Sequence, residues 1–380
     1  MSSLFRTWIE IDAEALRSNA EQFLKLIPPT TRFMAVIKSN AYGHGLVQVA
    51  KVLSPMFRGS TSKHWFGVDS IVEALRLRRE GIKNRILVLG YTLPSRIAEA
   101  GANGIALTVS NFESLQAVAA LPHPPPIHLK IDTGMYRQGF LPQDVFKLLN
   151  FLKRFQIAPE GIYTHFASAK DPDNRQYTEA QLSSFGDTLS EFERAGMRGM
   201  VRHAAASGGV LLFPESHLDM VRIGMGLYGY WPSPESKASK LKDKKFKNLK
   251  PVLAWKTVVG EVKEIPKGAV VGYDGTEQVA KKTKIAVLPV GYWHGYDRGF
   301  SGIGEVLVRG QRAKVLGRIS MDMTVADVSG IRGVKTGDGA VLVGAQDKEA
   351  IWADEAGEKL GTTQYEFLTR INPLIRRITI

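Results

Sequence analysis

The chain has no cysteine. Disulfides, thiolate nucleophiles, Cys-ligated zinc and Cys-bound iron–sulfur clusters are therefore excluded, and a reducing compartment fits. Long apolar runs are missing too. No stretch of the 380 residues approaches the roughly 18–20 needed to span a bilayer. The opening "MSSLFRTWIEIDAEAL" lacks the apolar core and small-residue cleavage site of a secretory signal. The cytoplasm is the expected location, with no membrane partner. Acidic residues are fewer than basic ones, 37 against 50, and the formal net charge of +13 favours anionic ligands. The densest basic run, "KASKLKDKKFKNLK" from Lys237 to Lys250, has seven lysines, no arginine and one aromatic, Phe246. Such a run is a solvated, self-repelling linker rather than a nucleic-acid surface.

What is present suits a large folded core. Hydrophobic residues make up 44% and charged residues 23%, enough for two domains. Short β-branched runs alternate with segments of helical period. The predicted strands are "RFMAVIK" (32–38), "WFGVDS" (65–70), "RILVLG" (85–90), "IALTV" (105–109), "PIHLKID" (126–132), "PEGIYTHF" (159–166), "MVRHAAAS" (200–207) and "DMVRIGMGLYG" (219–229). Ser70 with Glu73 and Ser110 with Glu113 fit capping boxes, Pro142 suits a first helical turn, and Gly196 suits a helix end. Eight such repeats predict a (β/α)8 barrel of the TIM type over residues 1–240. An open doubly wound sheet would also alternate, but no GxGxxG follows the first strand. From 245 to 380 the texture changes to strand-length runs with Gly and Asp turns, which predicts a mostly antiparallel β domain with one short helix near "TTQYEFLTRI". The first residues, up to Ile11, can pack on this second domain.

Barrel chemistry sits at the C-terminal strand ends. Those ends carry Lys38, then Lys130, Asp132 and Arg137, then His165, His203, Ser207 and Arg222, too polar a set for a merely structural rim. A metal-dependent hydrolase would want clustered imidazoles, and no His-x-His occurs; no metal ligands are assigned. Pyridoxal phosphate needs an amine for a Schiff base, amides and hydroxyls for its phosphate, and a partner for its ring nitrogen. Lys38, Ser207 with "GMG", and Arg222 supply those parts.

The blocks "AVIKSNAYGHG", "IDTGMYRQG", "YTHFA", "RHAAASGG", "VRIGMGLYGYWPS", "VGYDGT", "LPVGYWHGYDR", "GRISMDMT" and "TQYEFLTRI" resemble, in order, the signature blocks of bacterial alanine racemases. That resemblance implies pyridoxal 5'-phosphate held on Lys38, and a two-base exchange of L- and D-alanine. Lys38 would serve one face of Cα and Tyr273 the other. Tyr42, Ser207, Gly224, Met225 and Tyr365 would contact the phosphate, Arg222 the ring nitrogen, and His165 would support Arg222. Arg137 would meet the substrate carboxylate, with Lys130 bracing it and open to carbamylation. Tyr292 would line the entrance. The resemblance also implies a homodimer with shared sites, in which Tyr273 and the substrate-binding Met321 and Asp322 come from the other subunit, and a role in D-alanine supply for peptidoglycan. Two departures stand out: Ala206 where an asparagine is usual, and Trp293-His294 where a small residue and aspartate are usual.

Overall fold

Eight short parallel strands carry the larger of two units in this computed structural model, which describes residues 5–57, 64–241, 246 and 248–380. One unit is Ala15–Ser39 with Val49–Lys250; the other is Met1–Glu14 with Asn40–Gln48 and Pro251–Ile380. The parallel strands are β1 (Arg32–Val36), β2 (His64–Val68), β3 (Arg85–Val88), β4 (Ala106–Val109), β5 (Ile127–Lys130), β6 (Gly161–Tyr163), β7 (Val201–His203) and β8 (Met220–Ile223). β1 pairs with both β2 and β8, and the rest pair in sequence up to β7. One parallel bridge, Ala206 to Arg222, closes the circuit, with the Arg222 amide donating to the Ala205 carbonyl at 3.0 Å. The predicted barrel is what forms.

Every strand is shorter than its apolar run. β1 stops at Val36, so Lys38 stands beyond the ladder and not at its last rung. The tails of the runs leave the sheet and build the barrel mouth. Strand residues are buried on both faces, as all four of β4 and all four of β8 show. Around them pack helices such as Val145–Arg154, which buries Val145, Leu148, Leu149 and Leu152 along one stripe. Each such side chain contributes about 1.5–3 kcal/mol when removed from water.

Ser70 caps its helix by accepting the Glu73 amide at 3.4 Å, but the Glu73 carboxylate takes the amide of Asp69, one residue before the position a capping box would use. The second expected box does not form. Asn111 is the cap there, its Oδ1 accepting the Ser114 amide at 2.8 Å. Packing explains the shift: Phe112 meets Phe140 at 5.1 Å and fixes where the helix begins. Gly196, at φ 86°, ends the helix Arg175–Arg194 as expected.

In the other unit, Thr7–Ile11 pairs antiparallel with Leu253–Val258 and parallel with Arg376–Thr379, inside a ladder that is otherwise antiparallel. Leu253–Val258 alternates buried and half-buried residues, the period of a sheet with one packed face. Two short helices form where one was expected, Ala353–Lys359 and Gln364–Thr369. The first holds Gly357, a poor helix former, where a Cβ would stand 2.8 Å from the Thr363 carbonyl carbon. The lysine-rich run starts in the helix Pro234–Leu241, and its residues 242–245 and 247 lie outside the described residues. Among the described residues no helix is long and apolar enough to cross a membrane.

Candidate active site

Lys38 is anchored from behind. The Ile37 amide donates to the Gly67 carbonyl at 2.8 Å, and the Tyr228 hydroxyl donates to the Val36 carbonyl at 3.1 Å. Its Nζ lies 3.5 Å from Asp69 Oδ1, with both side chains part-exposed at the mouth. Asp69 is a partner the sequence reading missed.

Arg222 points inward from β8 and is 3% exposed. Its Nη1 donates to His203 Nδ1 at 2.8 Å. Its Nη2 donates to the carbonyls of Thr164 at 2.7 Å and Ala204 at 2.8 Å, and reaches His165 Nδ1 at 3.2 Å. The Tyr163 ring lies 5.0 Å from the guanidinium. Burial lowers the Arg222 pKa to about 10, which leaves it charged at neutral pH. Burial first, and Arg222 second, hold the His165 imidazole well below its ordinary pKa, so it faces the guanidinium as a neutral acceptor. The Nε–H of Arg222 has no hydrogen-bond acceptor among the described residues.

Lys130 ends β5 beneath the same mouth, its Nζ 5.8 Å from the Tyr163 ring. Burial lowers its pKa to about 8, and the positive charges of Arg137, Arg222 and Lys38 push the same way. Asp132 gathers the following turn: Oδ1 accepts the amides of Gly134, Met135 and Tyr136 at 3.0, 2.8 and 2.9 Å, and Oδ2 accepts that of Arg137 at 2.8 Å. Burial works to raise the Asp132 pKa, but those four bonds prevail and hold it below the usual carboxylate value. Arg137 is thereby presented at the surface of the mouth. Ser207 Oγ accepts the amides of Gly224 at 3.2 Å and Gly226 at 3.4 Å, and its own proton remains to be donated. Gly226 must lack a side chain, because a Cβ there would stand 2.4 Å from the Phe23 ring. Met225 is buried at the start of the turn Met225–Tyr228.

Directly after Lys38 the backbone is left-handed. Ser39, Asn40, Ala41 and Tyr42 all have positive φ, 56°, 54°, 53° and 52°. Each such non-glycine residue costs about 1–2 kcal/mol, so a run of four survives only where its surroundings over-determine it. Around Asn40–His44, in the smaller unit, they do. Asn40 Oδ1 accepts the Leu46 amide at 2.9 Å, and the Gly43 carbonyl accepts two N–H groups of Arg377 at 3.1 and 3.0 Å. His44 Nδ1 contacts the carbonyls of Ala41 and Tyr42, both at 3.0 Å, so Nδ1 carries the proton. Its pKa falls to about 3 through burial. Gly43 itself sits at φ 86°, and a Cβ would meet the Leu368 carbonyl oxygen at 2.1 Å. Gly43→Ala is expected to destabilise by about 2–4 kcal/mol, read as a lower urea midpoint with an unchanged slope.

The same unit places Tyr42 edge-on to Tyr365 at 6.2 Å. Burial raises the Tyr365 pKa. Tyr273 is 67% exposed at a turn where Asp274 has φ 61° and pairs with Arg318 at 2.6 Å. It lines a cavity of about 510 Å³ with Tyr292, Asp297, Arg298, Ile319 and Arg370. The amides of Tyr292 and Trp293 donate to the Ser320 and Met321 carbonyls at 3.1 and 3.0 Å, joining this wall to the exposed Met321–Asp322 turn. His294, one of the unusual residues, is turned inward. Its Nδ1 accepts the Gly291 amide at 3.2 Å and lies 3.9 Å from Asp322. Burial lowers its pKa, Arg6 adds to the effect, and Asp322 opposes it. Trp293 stays about half exposed, and Ala206 serves as the bridge residue opposite Arg222.

Of the residues singled out in the sequence, then, the barrel unit holds Lys38, Lys130, Arg137, His165, Ser207, Arg222, Gly224 and Met225, and the other unit holds Tyr42, Tyr273, Met321, Asp322 and Tyr365. The barrel mouth gathers a lysine and a buried arginine among further cations, in a chain that also has an antiparallel β unit, and the comparisons give the class: an amino-acid isomerase of the racemase type. The family profile for the alanine racemase N-terminal domain matches residues 11–232, and that for the C-terminal domain matches residues 252–379. The chain belongs to the alanine racemase family. It is 36% identical over 383 residues to the alanine racemase of Leptospira interrogans, covering 100% of this chain and 97% of that protein. With the Desulfosudis oleivorans alanine racemase it shares 39% over 388 residues, covering 98% and 96%. Among solved structures, the alanine racemase of Clostridium difficile 630 superposes with a TM-score of 0.90 at 30% identity, covering 99% of this chain and 96% of that one. That of Bacillus anthracis with bound L-Ala-P gives 0.89 at 33%, covering 99% and 95%.

Proposed function

We propose that the protein is an alanine racemase that interconverts L- and D-alanine with bound pyridoxal 5'-phosphate, working in the cytoplasm as a homodimer and supplying D-alanine for peptidoglycan. The observation that carries this reading is Arg222: a buried, charged guanidinium with no carboxylate on it among the described residues and with its Nε–H left to donate. Such a group suits a heteroaromatic nitrogen that must accept a hydrogen bond without receiving a proton. The other parts fit as well. Lys38 offers the amine, Ser207 a hydroxyl proton, and the Gly224–Met225 backbone opens a turn beside it, for a phosphate in a mouth rich in cations. Tyr42 and Tyr365 add two phenols for the same phosphate.

When bound, the cofactor supplies an aldehyde to join the substrate amine and a ring to take up the electron pair from Cα. The protein's residues then divide the proton work. Lys38 removes or returns the Cα proton on one face, and Tyr273, lent by the partner subunit, does so on the other, because no single base reaches both. Arg137 holds the substrate carboxylate through charge-assisted donors. Met321 and Asp322, lent by the partner subunit with Tyr273, contact the substrate, and Tyr292 lines the entrance. His165 keeps Arg222 in place.

Optical rotation tests the activity directly: starting from either enantiomer of alanine, the loaded protein is expected to bring rotation to zero. Faster turnover of serine or lysine than of alanine would replace this substrate assignment with a broader one.

Lys130 is proposed to exist as a carbamate. Its amine attacks CO₂, the new N–C bond forms, and the amine proton leaves to solvent, so a positive charge among Lys38, Arg137 and Arg222 becomes negative. With its pKa near 8, the unmodified amine is about half neutral at pH 8 and able to react. Left unmodified, Lys130 is more acidic folded than at its ordinary 10.5. Stability would then rise with pH from about 8 to 10.5, where only the unfolded chain keeps the proton. Labelled bicarbonate should therefore give a carbamate carbon resonance that Lys130→Ala lacks, and the rise in stability over that window should be absent from the carbamylated wild type.

A further inference from the structure

A line of buried polar groups runs from Arg222 down through the barrel. His203 on β7 and His128 on β5 are both fully buried. His203 Nδ1 lies 2.8 Å from Arg222 Nη1, and His203 Nε2 lies 2.8 Å from His128 Nδ1. His128 Nε2 faces Glu160 Oε2 at 3.6 Å, and neither atom has a hydrogen-bond partner among the described residues. Glu160, just before β6, pairs with Arg85, whose guanidinium lies 4.6 Å over the Trp65 ring. Trp65 in turn packs edge-on to His128 at 5.2 Å. Tyr163 stacks on His203 at 4.5 Å. Gly161 leaves the space: a Cβ there would stand 2.3 Å from His128 Nδ1.

The chemistry of the first link sets the direction of all the others. An arginine can only donate, so His203 Nδ1 must be a lone pair. Burial, and then Arg222, hold His203 well below its ordinary pKa, so it is neutral and its one proton is on Nε2. That proton is donated to His128 Nδ1. Burial lowers His128 too, despite the opposing pull of Glu160, and its proton is therefore on Nε2, facing the carboxylate. Donation runs one way, from Arg222 through His203 to His128, whose Nε2–H then faces the Glu160 carboxylate across 3.6 Å as an electrostatic contact. A carboxylate touching Arg222 would cancel the charge at the mouth. Placed two imidazoles away it can orient the guanidinium and leave that charge in being.

We propose that Glu160 and His128 are positioning residues for the racemase reaction, fixing His203 as its Nε2–H tautomer and thereby aiming Arg222 at the cofactor's ring nitrogen. The proposal rests on the function argued above only for its catalytic consequence. Long-range ¹H–¹⁵N correlation spectra of the histidine-labelled intact protein, assigned with His128→Asn, are expected to show His128 and His203 both protonated on Nε2. A proton on His203 Nδ1, or a mixture of tautomers, overturns it. In the loaded enzyme Glu160→Ala should lower kcat by about 10- to 100-fold, leave KM for alanine in place, and shift the absorbance band of the bound cofactor. Glu160→Gln keeps an acceptor oxygen and should recover most of that loss. Equal losses for Ala and Gln, or none for Ala, count against the relay. If Glu160→Ala fails to fold, the wild-type spectrum decides alone. If the tautomers are as stated and alanine is not racemised, the relay stands and the substrate assignment falls.

Discussion

Lys38→Ala is expected to lose at least about 10⁴-fold in racemisation, because in the proposed mechanism one change removes both the covalent attachment point and the base for one face of Cα. Chiral chromatography of alanine after long incubation measures the residue of activity. Borohydride reduction of the wild type should leave the cofactor on the peptide containing position 38, and the variant should carry no such adduct. An added small amine should restore part of the rate, since it can enter the space the side chain leaves. Retention of a tenth or more of wild-type activity would show that another amine does this work.

Tyr273→Phe should separate the two faces. The equilibrium constant of a racemisation is one, so kcat/KM must fall equally in both directions whichever base is lost, and net turnover cannot tell the bases apart. Hydrogen exchange can. In deuterated water the wild type should wash out the Cα hydrogen of both enantiomers. The variant should keep exchange of D-alanine, which Lys38 is proposed to serve, and lose that of L-alanine by about 10²–10⁴-fold. Similar losses for both enantiomers would remove Tyr273 from its assigned role. The exposed position of that phenol, on a turn pinned by the Asp274–Arg318 pair, suits a group offered to a neighbouring subunit. Mixing Lys38→Ala and Tyr273→Phe subunits should accordingly regain some activity, because one hybrid site then holds both bases.

Much of this could be read along the chain because it is a matter of burial. Strands covered on both faces must be apolar throughout, and β4 and β8 announce themselves that way, even with Arg222 inside the latter. Helices such as Val145–Arg154 show their stripe for the same reason. Local signals failed where two residues could do the same job. Ser110 and Asn111 are both competent caps, and the choice fell to Asn111 because Phe112 packs against Phe140. The helix Ala353–Lys359 escaped notice because Gly357 weakens its pattern, for a reason lying six residues on at Thr363.

The functional residues divide in a similar way. Lys38, Arg222 and Tyr273 are legible as types set in motifs, since an amine, a guanidinium and a phenol carry their chemistry wherever they stand. Their partners are not. Asp69 reaches Lys38 from the end of the next strand. His203 and His128 meet because β5 and β7 flank a glycine on β6, and only barrel closure puts Arg222 beside them. The left-handed run Ser39–Tyr42 has no sequence mark, because the bonds that fix the next residue, from Arg377 to the Gly43 carbonyl, come from the far end of the chain. By itself the sequence determined which residues are buried, which elements they form and which reactive groups exist, all properties of short stretches of chain in water. Tertiary structure alone decided which groups face one another and in what protonation, since hydrogen-bond direction and desolvation depend on neighbours that chain order does not supply.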